Sequence, residues 1–381
     1  MDLKFTADQE AFRQEVRGFF QAELAAGSFT TNLDGWLAGY SPEFSRKIAA
    51  RGWIGLNWPR EYGGSERDPL DRLIFYEEMA YYGAPVAYHL TGDRQIGPIL
   101  IMFGSEQQKR EFLPPLVRAA IGFGQAFSEP EAGSDMASLQ MRAESQGDSF
   151  ILNGSKVWIG RGHLVEWSLV LARTDPDSQR HHGISAFLVD MKTPGVNARP
   201  QPNIIAPTAM AEIVFDNVRV PKENLVGDLG QGWELAMAML NIERTGVERV
   251  GICRRVLEEL ASRVGDDDTA GRHRLAGMAV EAEVLRWLCY RVAWREAQGL
   301  HPEAEASVAK VFGSELMKRM AQVGMQSLGL YAQLEGPDPP TPLAGMIERW
   351  YQSTPGFTLA QGTSEVQRNI IATRGLGLPR G

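Results

Sequence analysis

The segment FGQAFSEPEAGSD, residues 123–135, contains the residue types best suited to binding a ligand. Gly133 has no side chain, so a ligand could approach its backbone closely, and the hydroxyl of Ser134 can donate or accept a hydrogen bond. This composition suits an anion or a cofactor. A rigid turn held by Pro130 explains the same residues equally well, so the segment alone leaves both interpretations open.

A second candidate for chemistry is Glu243, which is followed by Arg244 in the segment AMLNIERTGVERVG. A glutamate can act as a general base when burial raises its pKa toward the working range. Exposed pairs of glutamate and arginine are common on helices and contribute little to stability. On its own, this pair therefore favours a surface ion pair.

Motifs for other cofactors and for metals are missing from the sequence. Gly230 and Gly232 begin a GxGxxG spacing, but Leu235 occupies the third position and no βαβ context precedes them. A Walker loop, HExxH and GxSxG are also absent. The only cysteines, Cys253 and Cys289, lie in helix-like apolar settings and predict neither a disulfide framework nor a metal site.

Length and composition indicate a globular protein of 381 residues, enough for two or three domains. The 39 basic and 47 acidic residues give a net charge of -8, which argues against nucleic-acid binding. The beginning, MDLKFTADQE, lacks the apolar core of a signal peptide. The longest apolar stretch, residues 96–103, is far shorter than the roughly 20 residues of a membrane span. We expect a cytoplasmic protein that does not bind membranes.

Hydrophobic periodicity predicts helices, then strands, then helices. Capping-box spacing, Thr6 with Gln9 and Ser105 with Gln108, predicts two helix starts in the first third. From about residue 122, short β-rich runs are separated by turn residues without a helical pattern between them, which predicts an antiparallel barrel or sandwich. After Gly232 the helical period returns, and the first of three long helices is expected over residues 233–264.

Five segments in order along the chain resemble elements of the acyl-CoA dehydrogenase family. The most specific, SEPEAGSD, is similar to the family signature (T/S)EPxAGSD. The others are GSEQQKREFLPPL, NGSKVWIG, FDNVRVPKENLVG and GTSEVQRNIIATRGLG. The resemblance covers the whole chain and implies an α+β fold of three domains. These are an N-terminal α-helical domain (residues 1–121), a middle antiparallel β-barrel (residues 122–229) and a C-terminal four-helix bundle (residues 230–381).

The resemblance implies that the chain binds FAD and oxidises an acyl-CoA thioester to the trans-2-enoyl-CoA. In this family a carboxylate removes the α-proton, the β-hydrogen leaves as hydride to flavin N5, and electrons pass to an electron-transfer flavoprotein. The positions that match flavin-binding residues are Gln125, Phe127, Ser128, Gly133, Ser134, Trp158, Ile159, Gly160, Thr363 and Glu365. Those that match substrate-binding residues are Ser134, Asn241, Arg244 and Gly362. Gly160 departs from the threonine or serine of many members, so only its backbone N–H can donate.

The resemblance also places the catalytic base at Glu243. Many members carry the base in a Y-E-G-T-S segment, where this chain has LAQGTS and therefore the neutral amide of Gln361. Branched-chain and long-chain members carry it on the first long helix of the C-terminal bundle, just before an arginine, as Glu243 is placed here. The backbone N–H of Gln361 can still donate to the thioester oxygen as it becomes enolate-like. Glu365 and Glu248 are weaker alternatives for the base.

Two segments that complete a neighbour's FAD site in homotetrameric members are altered in this chain. An R-x-x-F-G segment is replaced by SRVGDDDTAGRH, in which Asp266 to Asp268 would repel a pyrophosphate. The turn Gln-x-x-Gly-Gly-x-Gly keeps only Gln326 and Gly329. This pattern resembles actinobacterial members that are built from two different chains and act in sterol side-chain catabolism. We expect an α2β2 heterotetramer with a paralogous chain, and a homotetramer as the alternative.

Two other functions stay open at this point. An oxygen-using acyl-CoA oxidase would share the fold, and dependence on the electron acceptor under air would separate it from a dehydrogenase. A flavin-free structural subunit is favoured by Gln361 and Gly160, whereas Glu243 and Trp158 argue against it. The polar residues Asp93 and Arg94 are unusual for a plain fatty-acyl tunnel and favour a bulky or ring-bearing acyl group, unless they face solvent.

Overall fold

The computed structural model describes residues 5–178, 180–204, 208–243, 245–265, 267–300, 302–334 and 345–379, without the side chain of Glu243. The chain divides into two compact units. The bundle unit comprises Met1–Trp36, Arg67–Ala84 and Arg244–Gly381. The sheet unit comprises Leu37–Glu66 and Pro85–Glu243. The division into three domains, expected from the sequence, stays a prediction.

The described secondary structure begins and ends with helices. The helices are α1 (Ala7–Ala25), α2 (Gly35–Ala38), α3 (Pro42–Ala50), α4 (Pro69–Tyr82), α5 (Ala87–Thr91), α6 (Gly97–Phe103), α7 (Glu106–Val117), α8 (Gly232–Glu243), α9 (Glu248–Ala261), α10 (Thr269–Glu296), α11 (Glu303–Leu328), α12 (Met346–Leu359) and α13 (Ser364–Ile370). The strands are β1 (Phe123–Ala126), β2 (Arg142–Gln146), β3 (Ser149–Gly160), β4 (Trp167–Arg173), β5 (Ile184–Asp190), β6 (Val196–Gln201), β7 (Met210–Pro221) and β8 (Leu225–Val226). Within the described ranges, no helix combines the length and the apolar character needed to cross a membrane.

The predicted helix starts are confirmed by the capping contacts. Thr6 and Ser105 each form a capping box, at the beginning of α1 and α7. The side chains of Ser41 and Asp68 accept backbone hydrogen bonds at the beginning of α3 and α4. Each cap satisfies a backbone N–H that the first helical turn leaves without a partner. Local sequence therefore sets where these helices begin.

The sheet unit is built on one open sheet with the strand order β6-β7-β3-β2-β4-β5-β8. Strand β1 pairs with β4, and both β1 and β2 run parallel to β4, while the other neighbours are antiparallel. The order of helical, strand-rich and helical segments is confirmed. The expected closed antiparallel barrel is wrong, because the two end strands of the described sheet do not pair and two pairings are parallel. Strand propensity indicates which segments are extended, but it does not indicate which neighbour each one joins.

Alternating residues of the strands build two hydrophobic clusters in the sheet unit. Leu169 and Leu171 of β4 belong to a cluster that includes residues of α6, α7 and α8. Val170 and Ala172 of the same strand belong to a second cluster with residues of β2, β3, β5 and β7. Successive side chains of a strand point to opposite faces, so β4 is buried on both sides. This double burial fixes the strand with which β1 pairs.

A π-helical turn, Gly92–Ile96, lies between α5 and α6. Its residues Asp93 and Arg94 are 4% and 6% exposed, so the alternative that they face solvent is wrong. The backbone N–H of Gly55 donates to Oδ1 of Asp93 over 2.8 Å. Charged residues are rarely buried without a structural or functional reason, and π-helical turns frequently lie at functional sites.

The bundle unit combines α1 and α4 with the helices that follow residue 244. Buried carboxylates on α4 bind arginines on both sides of it. Arg13 of α1 donates to Oε1 of Glu78 over 2.8 Å, and Arg254 of α9 donates to Oε1 of Glu77 over 2.7 Å. Removing one partner of such a network would leave a buried charge uncompensated, so these contacts hold α1, α4 and α9 in one register.

The long helix expected over residues 233–264 is interrupted. Helix α8 ends at Glu243 and α9 begins at Glu248. Gly246 has φ +64°, a left-handed conformation that is incompatible with a continuous right-handed helix. Arg244 lies outside the described residues. The hydrophobic periodicity of the sequence did not reveal this interruption, because both α8 and α9 carry apolar residues at helical spacing.

The buried His89 of α5 predicts a specific dependence of stability on pH. It is 1% exposed, its Nδ1 lies 2.8 Å from Oγ of Ser45, and burial lowers the pKa of His89 to about 3. The stability gained by keeping this imidazole neutral is present above the unfolded pKa of about 6.5 and is lost as the pH falls from there toward 3. We expect His89→Gln to lower the melting temperature at neutral pH and to flatten its decline between about pH 7 and about pH 5.

The control is His273→Gln, because His273 is exposed on α10. Its melting temperature should follow the wild-type pH curve. A His89→Gln curve as steep as that of the wild type would contradict the assignment.

Candidate functional site

The SEPEAGSD segment of the sheet unit forms a tight turn that lies against strand β3. Two backbone hydrogen bonds of 3.0 and 3.1 Å close the turn between Glu129 and Ala132. The N–H of Val157 in β3 donates to the carbonyl of Ser128 over 2.9 Å. The residues beyond the turn are exposed: Gly133, Ser134 and Asp135. The two interpretations left open by the sequence are compatible, since a rigid turn carries exposed residues that a ligand can reach.

A buried ion pair fixes this turn. Nζ of Lys156, which has no exposed surface, donates to the carbonyl of Phe127 and to Oε1 of Glu129, both over 2.9 Å. The carboxylate of Glu129 also accepts the backbone N–H groups of Gln140 and Met141 over 2.7 and 2.9 Å. Burial lowers the pKa of Lys156 to about 8, and Glu129 opposes this shift. The segment and strand β3 are therefore held in one fixed arrangement.

Trp158 adopts an unusual conformation next to this turn. A register shift in the β3–β7 pairing lies between Lys156 and Ile159, and Trp158 has φ +61°. Its side chain is 58% exposed, and its N–H donates to Oε1 of Gln201 over 3.2 Å. Left-handed conformations of bulky residues are strained and occur preferentially at ligand sites. No sequence signal pointed to Gln201, because it comes from the end of β6.

The other flavin positions expected on the sheet unit divide into two groups. The side chains of Phe127 and Ile159 are 4% and 0% exposed, so only their backbone groups are available to a ligand. Gln125 in β1 and Gly160 at the end of β3 are partly buried. A Cβ atom on Gly160 would meet no atom within 4 Å among the described residues, so the strand has open space at this position.

Helix α8 carries one expected substrate residue, Asn241, and the expected base, Glu243, near its C-terminal end. Asn241 is partly buried there. The side chain of Glu243 and the whole of Arg244 lie outside the described residues. Helix α8 contacts the π-helical turn Gly92–Ile96, in which Asp93 and Arg94 are buried.

In the bundle unit, Gln361 and Gly362 form a left-handed turn before α13, with φ +60° and +83°. Thr363 is the N-cap of α13, and its hydroxyl accepts the N–H of Val366 over 3.2 Å. Nε2 of Gln367 donates to the carbonyl of Gln361 over 3.0 Å. A left-handed residue with a side chain is uncommon, so the surrounding contacts must hold Gln361 in this conformation.

Arg249 is a further residue at this turn, and the sequence patterns did not reveal it. Its Nη2 donates to Oε1 of Gln361 over 2.6 Å, although 112 positions separate the two residues. Glu248, one weaker alternative for the base, is 2% exposed, and its Oε1 lies 3.8 Å from Nη1 of Arg249. Glu365, the other alternative, is exposed in the first turn of α13.

The two altered segments of the bundle unit border one cavity of about 440 Å³. Its lining includes Arg263 and Asp268 from one segment and Ser327 and Tyr331 from the other. Asp268 is the N-cap of α10, and its Oδ1 accepts the N–H of Gly271 over 2.8 Å. Asp266 lies outside the described residues. Helix capping explains why an aspartate is useful at position 268 without any ligand.

Three family models match successive parts of the chain. The acyl-CoA dehydrogenase N-terminal domain matches residues 6–120, the middle domain residues 124–218 and the C-terminal domain residues 230–376. The chain therefore belongs to the acyl-CoA dehydrogenase family, whose members are oxidoreductases that typically depend on FAD.

The chain is similar over its full length to relatives and solved structures of this family. The acyl-CoA dehydrogenase IpdE1 of Mycobacterium tuberculosis is 37% identical, and the match covers 98% of each chain. The ChsE4-ChsE5 complex from Mycobacterium tuberculosis is 33% identical with a TM-score of 0.88, and the Tcur3481-Tcur3483 steroid ACAD is 28% identical with a TM-score of 0.92. Both structural matches cover 100% of each chain, and both structures carry the names of two components.

The open space at Gly160 can be tested by adding a side chain. We expect Gly160→Ser to change the free energy of unfolding by less than about 0.5 kcal/mol, because the new Cβ atom meets no described atom within 4 Å. Gly162→Ser is the matched control, since a Cβ atom there would lie 2.7 Å from Cγ2 of Ile159. We expect this crowding to lower the free energy of unfolding of Gly162→Ser, measured in urea, by about 1–3 kcal/mol. Equal destabilisation by both substitutions would contradict the open space.

Proposed function

We propose that this chain catalyses the FAD-dependent α,β-dehydrogenation of an acyl-CoA thioester to the trans-2-enoyl-CoA. The observation that carries the proposal is the exposed ring of Trp158, on a strained backbone beside the fixed SEPEAGSD turn. A tryptophan 58% exposed in a left-handed conformation is costly unless the ring has a use at that place. A flat aromatic ring is suited to stacking against an isoalloxazine and shielding it from water.

The residues around Trp158 fit a flavin. Gly133 and Ser134 offer an approachable backbone and a hydroxyl, and the backbone groups of Phe127 and Ser128 are held still by the contacts described above. Gly160 leaves room at the edge of the strand. The remaining residues that we propose to hold FAD are Gln125, Ile159, Thr363 and Glu365. When bound, FAD supplies the acceptor for the β-hydride.

We assign the removal of the α-proton to the carboxylate of Glu243. This residue is the last of α8. A glutamate carboxylate can act as a general base and accept the α-proton. The amide of Gln361 cannot take this role.

We assign the stabilisation of the thioester oxygen to a backbone group at position 361. The N–H of Gln361 donates to the thioester oxygen and stabilises the charge that develops there when the α-proton leaves. The left-handed turn at Gln361 and Gly362 sets the direction of this N–H. We propose that the other residues that contact the acyl-CoA are Ser134, Asn241 and Arg244.

The buried polar residues of the π-helical turn favour a bulky or ring-bearing acyl group. Asp93 and Arg94 are buried next to α8, whose end carries Asn241 and Glu243. Apolar walls favour the binding of a plain alkyl chain, whereas charged side chains in the wall of such a pocket cost desolvation free energy. The similarity to a structure described as a steroid ACAD agrees with this preference.

Replacing Glu243 tests the base. We expect Glu243→Gln to lower kcat by at least about 100-fold, because proton abstraction loses its acceptor, and to leave bound flavin unchanged. The measurement uses an artificial electron acceptor and the acyl-CoA, from straight-chain, branched and ring-bearing thioesters, that the wild type turns over fastest. Glu234→Gln is the control, because Glu234 is exposed on the same helix. Activity retained by Glu243→Gln would eliminate Glu243 as the base.

We further propose that the active form is an α2β2 heterotetramer with a paralogous chain, which reduces an electron-transfer flavoprotein. Asp268, which lines the cavity of the bundle unit, is unsuited to a neighbour's pyrophosphate and serves as a helix cap instead. The similarity to structures that carry two component names supports the same assembly.

Flavin content per chain tests this assembly. We expect little flavin in the chain purified alone, and about half a flavin per chain after co-expression with its paralogous neighbour, as a symmetric α2β2 complex with one site per unlike pair requires. The measurement is the visible absorbance of the flavin together with the mass of the complex. One flavin per chain in a pure homotetramer would contradict the heterotetramer. A complex that keeps both its flavin and its turnover when this chain carries Glu243→Gln would instead identify this chain as a structural subunit, the function that Gln361 favours.

A further inference from the structure

Arg249 in α9 is a buried cation that is hydrogen-bonded to an uncharged side chain. It is 2% exposed, and its Nη2 donates to Oε1 of Gln361 over 2.6 Å. Both residues belong to the bundle unit. Removing a guanidinium from water is costly unless acceptors replace the lost hydration. The amide oxygen of Gln361 is therefore a strong determinant of where the guanidinium lies.

The packing around Arg249 leaves its side chain little freedom. A Cβ atom on Gly313 of α11 would lie only 3.0 Å from Cδ of Arg249. Oε1 of Glu248 lies 3.8 Å from Nη1, which is an ion-pair distance but too long for a hydrogen bond. Among the described residues, the guanidinium forms its hydrogen bond with Oε1 of Gln361.

The same contact acts on the backbone at Gln361. This residue has φ +60°, which costs free energy for a residue with a side chain. Arg249 holds the side chain of Gln361, and Nε2 of Gln367 holds its carbonyl over 3.0 Å. Together these contacts keep the peptide at position 361 in the left-handed conformation.

We infer that Arg249 is a positioning residue, which orients the backbone N–H of Gln361 and makes position 361 unsuitable for a general base. The inference rests on the proposed dehydrogenation. An arginine at hydrogen-bond distance stabilises the charged form of any carboxylate placed there. A carboxylate that strongly favours its charged form is a weak base. Arg249 thereby explains why an amide occupies position 361 and why the base must lie elsewhere, at Glu243.

A double-mutant cycle on stability tests the contact without using activity. Arg249→Met, Gln361→Glu and their combination are unfolded in urea at about pH 7 and about pH 4. We expect Gln361→Glu to be tolerated with Arg249 present and to destabilise the protein without it, with a coupling of about tenfold or more in the unfolding equilibrium constant at neutral pH. The coupling should shrink at the lower pH, where the introduced carboxyl takes up a proton. No coupling at either pH would overturn the inference.

Arg255→Met is the matched control for this cycle. Arg255 lies on the same helix, and its Nη2 contacts Oε1 of Glu259 over 2.6 Å. Combined with Gln361→Glu it should show no coupling, because it does not face position 361. A coupling equal to that of Arg249 would mean that general charge, and not the contact, causes the effect.

Turnover separates a positioning role from a purely structural one. We expect Arg249→Met to lower kcat about tenfold, part of the roughly 100-fold that loss of an oxyanion donor costs, with a smaller change in KM and partial recovery in Arg249→Lys. The variant Glu243→Gln lacks the proposed base, and Gln361→Glu offers a new carboxylate. We expect this second substitution to restore turnover only in a triple variant that also carries Arg249→Met. An unchanged kcat and pH profile in Arg249→Met would overturn the positioning role. An active Glu243→Gln variant would instead disprove the proposed base, while the stability cycle would still test Arg249.

Discussion

The contact on which the sheet unit depends is the buried ion pair between Lys156 and Glu129. One ammonium group binds the carbonyl of Phe127 and the carboxylate, and that carboxylate caps two further N–H groups at positions 140 and 141. Breaking either partner would leave a charge buried without compensation, which is strongly destabilising. The pair therefore holds a long loop against the middle of β3, and it keeps the SEPEAGSD turn beside Trp158.

Each of the two units contains a strained backbone position among its proposed functional residues. Trp158 in the sheet unit and Gln361 in the bundle unit each have a left-handed φ despite carrying a side chain. In each case a polar side chain from a distant segment contacts the strained residue. Gln201 accepts the backbone N–H of Trp158, and Arg249 donates to the side chain of Gln361. Strain of this kind persists only where the surroundings determine it, and it is commonly found where a ligand must meet a fixed group.

Much of the fold could be predicted because its determinants are local. The caps at Thr6 and Ser105 set helix starts, and the strand-rich composition after residue 122 indicated extended segments. The closed barrel was wrong because pairing depends on segments far apart in the sequence. The helix over residues 233–264 was wrong because the left-handed Gly246 interrupts it, and apolar spacing continues on both sides.

The sequence by itself determined the family, the order of helical and strand-rich segments and the residue types of the proposed site, because caps, periodicity and short motifs act over a few residues. It also showed that position 361 carries an amide and that Glu243 precedes Arg244. Only the tertiary structure decided that α1 and α4 join the C-terminal helices, that Asp93 and Arg94 are buried, and that Arg249 binds Gln361. These features depend on burial and on contacts between positions up to hundreds of residues apart, and no local pattern encodes them.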